Sequence, residues 1–172
     1  MANSYLNLND QNINSVVQNL NQLLADYHVY YQKLRNFHWN VKGENFYRLH
    51  EVFEDLYNDA FETIDDLAER IQTLGYLPLS KMEDYLKVSD LNECDPLTED
   101  VDMVKELVKD HEVLIKGYRA VIEKAENAND EATIDLTAGL LRDFEKSTWM
   151  LHSWLGNKVQ TGARQKAESI IA

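Results

Sequence analysis

The chain has 172 residues with a formal net charge of -13, and 44% of them are hydrophobic against 27% charged, the balance of a globular protein long enough to bury a core without disulfides. So acidic a chain is poorly suited to phosphate backbones, because nonspecific nucleic-acid binding rests on Lys and Arg displacing counterions; cations are the more natural partners. The single cysteine, Cys94, excludes an internal disulfide, MANSYLNLND has neither the basic end nor the apolar run of a signal peptide, and no stretch approaches the roughly 18 apolar residues of a membrane span, so a soluble, cytoplasmic protein is expected.

Six glycines and two prolines leave little punctuation for strands. Apolar residues at 16, 20, 23, 24, 27, 31, 34, 37 and 41 predict a first helix over 10–42, stopped by Gly43. Asn45 is placed to cap a second helix over 45–75, whose stripe of Phe46, Leu49, Phe53, Leu56, Ala60, Ile64, Leu67, Ile71 and Leu74 runs to Gly75. Residues 76–97 hold both prolines, Pro78 and Pro96, and only SKMEDYLKV there suits a short helix. Two further stripes, from Val101 to Ala125 and from Ile134 to Leu155, predict helices over 98–127 and 130–157, separated by NAND. The mildly basic tail from about 158, with Lys158, Arg164 and Lys166, is expected to be mobile. Short links after the first and third long helices and a long one between the second and third predict a single all-α domain over 1–172. Its connectivity is that of a ferritin-like four-helix bundle with a short extra helix in the crossover.

Between Glu51 and Glu69 stand eight acidic residues and no Lys or Arg. A solvated face would account for such a run, but its placement suggests more. On a helical wheel His50, Glu54, Asp65 and Glu69 cluster roughly 130° away from the apolar stripe of their own helix. His50 with Glu54, and Asp65 with Glu69, are each one turn apart, the spacing at which two side chains converge on one metal ion. The two pairs lie roughly 22 Å apart along the axis at about 1.5 Å per residue, too far to share an ion. A second copy of this helix, packed antiparallel about a two-fold axis near residues 59 and 60, brings the pair of one chain to the other pair of its partner. His38, across the tight turn, is then a third ligand from the first chain, and Phe61, with Tyr57 and Ala68, gives the interface an apolar patch. Mixed imidazole and carboxylate ligands suit iron, manganese or zinc. A di-metal site inside the bundle would require Glu-x-x-His motifs, and the residues three before the five histidines are Ala25, Arg35, Tyr47, Val108 and Trp149.

HWNVKG, then F-x-x-LH, then DDLAERI resemble the Dps family of ferritin-like proteins, most densely over residues 34–75. The resemblance implies ferroxidase sites at His38, His50, Glu54, Asp65 and Glu69 across two-fold interfaces of a hollow dodecamer. Such a protein takes Fe(II) as substrate, oxidises it preferably with hydrogen peroxide rather than oxygen, and stores the ferric product; other divalent cations would compete for the site. Glu54 departs from the family's commoner Asp. Trp39 looks like the family's site-adjacent tryptophan and reads equally well as a packing aromatic. Glu51, Asp55 and Glu62 are candidates for mineral nucleation on the inner wall, and Asp130, Glu131 and Asp135 for an iron entry pore. His111, in an apolar stripe, reads as a satisfied core residue, and His28, His152, Trp149, Trp154 and Cys94 take the same structural reading. DNA coating is the alternative function, which the absence of Lys and Arg from residues 1–32 disfavours.

Overall fold

In a computed structural model the described residues are 6, 8 and 10–156. They form five helices: α1 (Asp10–Asn40), α2 (Phe46–Thr73), α3 (Met82–Val88), α4 (Asp100–Ala128) and α5 (Glu131–Trp154). The long four make a bundle in which α1 packs against both α2 and α4, and α4 packs against α5. The tail expected from about 158 lies outside the described residues.

The long helices bury most of the stripe their sequences carry, although Ile115 and Ile122 of α4 and Ile134, Phe144, Thr148 and Leu155 of the α5 stripe are only half-buried. Leu20, Leu23, Leu24, Leu34 and Phe37 of α1 meet Leu49, Phe53, Leu67 and Ile71 of α2, all essentially inaccessible to solvent, and each such side chain contributes roughly 1.5–3 kcal/mol by leaving water. On α4 the buried face is broader than expected, adding Met103, Leu107, Leu114 and Val121. Val101 is exposed instead.

The helix ends explain the connections. Gly75 takes φ 81°, a left-handed value only glycine adopts freely. It lets the Tyr76 amide donate back to the Ile71 carbonyl at 3.2 Å, closing α2. In the α1–α2 turn Gly43 takes φ 97°, and its carbonyl accepts from the Phe46 amide at 3.2 Å where α2 begins. Asn45 does not cap α2 as expected; its side-chain amide donates instead to Asp100 at 2.7 Å, pinning the turn to the start of α4.

The crossover is laced along α1. Leu79 N–H donates to Asn21 Oδ1, Gln22 to the Val88 carbonyl, Asn36 to the Cys94 carbonyl and the Lys42 amide to the Thr98 carbonyl. Those anchors advance in step from residue 21 to 42, so the connection returns roughly 30 Å along α1 before α4 begins. That return makes α2 and α4 parallel, the ferritin-like topology.

Candidate metal centre

The turn between α1 and α2 brings His38 and His50 face to face, with ring centroids 3.7 Å apart and planes 18° from parallel. Two reciprocal hydrogen bonds hold them. His38 Nδ1 lies 2.8 Å from the His50 carbonyl, and His50 Nδ1 lies 2.8 Å from the His38 carbonyl. A carbonyl only accepts, so both Nδ1 atoms carry the proton and both Nε2 atoms keep a lone pair. The His38 carbonyl is free for this role because α1 ends two residues on and the Lys42 amide is spent on Thr98.

Glu54, one turn beyond His50, completes the cluster: one donor atom from each of His38, His50 and Glu54 lies within 4.8 Å of the others. Metal–ligand bonds of about 2.1 Å place adjacent ligands roughly 3–4 Å apart, so small side-chain rotations suffice to close three donors on one ion. His38 is 9% exposed, His50 is half-buried and Glu54 is exposed, so the cluster opens to the surface of the chain. Phe46 stacks on the outer face of His50 at 5.1 Å, and Tyr57 meets His38 edge-on at 5.3 Å with its hydroxyl donating to Glu54 at 3.3 Å.

Asp65 and Glu69 are exposed on the same helix but belong to no such cluster among the described residues; at about 1.5 Å per residue they are roughly 16 Å or more beyond Glu54. Between the two pairs Phe61 is 60% exposed. Trp39 is 58% exposed, carries the Arg35 guanidinium over its ring at 4.8 Å and borders a groove against α3.

The weaker candidates separate. Glu51 and Asp55 are exposed, and Glu62 lines a cleft of about 390 Å³ between α2 and α5 together with Asp59, Asp66 and Asp143. Burial, then the charges of Asp55, Glu62 and Asp143, raise the Asp59 carboxyl above its usual range. Asp143 escaped the sequence reading because it lies on another helix. Glu131 and Asp135 are exposed on the first turns of α5. Asp130 is not an exposed pore acid: it is 1% exposed and caps α5, accepting from the Thr133 amide at 3.1 Å and pairing with Arg70 at 2.5 Å. The D-x-x-T capping pattern was the available signal.

Of the residues read as structural, His111 is fully buried and bonded at both nitrogens, and His28 stacks on Tyr85 at 3.8 Å. Trp149 departs from that reading, being 59% exposed on α5.

The Ferritin-like domain profile matches residues 17–159. The chain belongs to the ferritin-like family. Within it the Dps proteins are its relatives. It is 40% identical over 140 residues to the DNA protection during starvation protein 2 of Bacillus anthracis, covering 81% of this chain and 96% of that one. Dps from Vibrio cholerae O1, described as a member of a broad superfamily of ferritin-like diiron-carboxylate proteins, superposes with a TM-score of 0.87 at 35% identity, over 90% of this chain and 98% of that chain. Dps from Staphylococcus aureus superposes at 0.80 with 40% identity, over 86% and 97%. In this Dps chain no helix among the described residues is long and apolar enough to cross a membrane.

Proposed function

We propose that this Dps chain is a cytoplasmic ferroxidase and iron-storage protein that removes Fe(II) and peroxide together. The observation that carries the reading is the His38/His50 pair: two imidazoles locked in one tautomer, both Nε2 atoms available, with a carboxylate in reach. His38, His50 and Glu54 receive Fe(II) from one chain. Asp65 and Glu69 of a second copy, packed antiparallel over Phe61, complete the ligand set. Twelve copies in a closed shell give the oxidised product an interior to fill, with Glu51, Asp55 and Glu62 toward the mineral and Glu131 and Asp135 toward an entry path. Residues 1–32 carry no Lys or Arg, which disfavours the alternative reading of DNA coating.

The chemistry balances simply. Two Fe(II) each give up one electron; hydrogen peroxide takes both electrons and two protons and leaves as two waters. Hard carboxylate oxygens favour Fe(III) over Fe(II) and so draw the electrons off. Peroxide and Fe(II) are consumed in the same step, which suppresses hydroxyl-radical formation.

The test is anaerobic Fe(II) loading followed by substoichiometric peroxide, on the wild type, His50→Ala, Asp65→Ala, and the two variants co-assembled from a denatured mixture. Each variant alone loses at least about tenfold in rate, the scale on which removal of a ligand or its support acts. In a mixed pair one site carries both lesions and the other carries neither, so co-assembly restores part of the rate. Equal rates in all samples refute the site; no recovery on mixing refutes its division between chains.

A further inference from the structure

We propose that Tyr57 is a positioning residue that engages one oxygen of Glu54 and so limits this carboxylate to a single donor atom at the metal. The inference rests on the reading of His38, His50 and Glu54 as the iron site. Tyr57 stands at i+3 from Glu54 on α2, where side chains on a helix meet, and its hydroxyl donates to Glu54 Oε1 at 3.3 Å. The ring that carries the hydroxyl is fixed from two sides, edge-on to His38 at 5.3 Å and edge-on to Tyr31 at 6.1 Å. Tyr31 in turn lies under the Arg35 guanidinium at 5.4 Å. One side chain therefore touches an imidazole ligand and a carboxylate ligand at once.

Glutamate is long enough to bind a cation through both oxygens, which would fill a coordination position. At neutral pH a phenol is a donor, and a hydroxyl held on Oε1 leaves Oε2 as the oxygen offered to the ion. A position then stays open for the oxidant. Aspartate at 54, shorter by one methylene, withdraws its carboxylate from the hydroxyl, so Glu54 and Tyr57 act as a pair.

The test uses Co(II), a redox-stable dication whose d–d absorption weakens as its coordination number rises, titrated into the assembled protein. Tyr57→Phe keeps the ring packing and removes only the donor. Relative to wild type it is expected to show a weaker d–d band at saturation and roughly threefold tighter binding, the scale of one hydrogen bond at the weak end of the usual range. In a Glu54→Asp background the same substitution is expected to change neither. Identical spectra and affinities for wild type and Tyr57→Phe, or an equal change in the Glu54→Asp background, overturn the role of Tyr57 and leave the metal site standing. Co(II) binding that His50→Ala fails to weaken overturns both.

Discussion

At the scale of single residues, His111 shows how a titratable group is kept out of the chemistry. Thr148 gives its own hydroxyl proton to the Phe144 carbonyl at 2.8 Å, so it accepts from His111 Nδ1 at 2.7 Å, and Nε2 is left to accept from the Tyr30 hydroxyl at 2.6 Å. Burial lowers the His111 pKa to about 3 from the ordinary 6.5. The unfolded chain therefore takes up a proton below pH 6.5 that the folded chain refuses until about pH 3. Stability from this group is complete above 6.5 and is lost on acidification at about 1.4 kcal/mol per pH unit. Urea unfolding between pH 6.5 and 4.5 should give a shallower acid slope for His111→Gln than for wild type, and parallel slopes would refute the account. The core role of His111 was legible from its place in an apolar stripe. Its partners were not, because Tyr30 and Thr148 lie on other helices, 81 and 37 residues away. The same limit hid the carbonyl that each site histidine grips across the turn.

At the scale of elements, the three-or-four spacing of apolar residues located all four long helices, since burial on one face leaves that period in any helix packed against a core. Chain ends of helices were less legible. The start of α5 depends on Arg70, 60 residues earlier, meeting Asp130 with side chains that are 12% and 1% exposed. Sequence spacing read Asp130 alongside Glu131 and Asp135 as one acidic group, whereas packing divides them into a buried cap and two exposed acids. Asp130→Ala removes the cap and strands the Arg70 guanidinium, with an expected loss of about 3 kcal/mol. Glu131→Ala and Asp135→Ala are expected within about 0.5 kcal/mol of wild type. Thermal midpoints compare the three directly, and a fall for Asp130→Ala no larger than for the exposed pair would contradict the structural role.

At the scale of the whole molecule, Phe61 is an exposed large apolar side chain that lies about midway between the His50/Glu54 and Asp65/Glu69 pairs on α2. It was legible because the wheel placed a large apolar residue off the core stripe. Phe61→Glu puts one buried charge from each copy at the proposed two-fold axis. Native mass measurement should then show species smaller than the wild-type assembly, with iron oxidation falling in parallel. Retention of the full wild-type mass would argue against that interface.

The reciprocal imidazole and carbonyl bonds have a consequence for charge balance. With both Nδ1 protons spent on backbone, His38 and His50 offer a metal two neutral donors, so in a lone chain Glu54 supplies the only negative charge of the trio. Against a dication that leaves a surplus of one positive charge, and against a trication a surplus of two. With Asp65 and Glu69 of a second copy added, as proposed, the anionic count becomes three, which matches the trication. In the proposed two-chain site the added carboxylates therefore favour the oxidised ion more strongly than the trio of a single chain does.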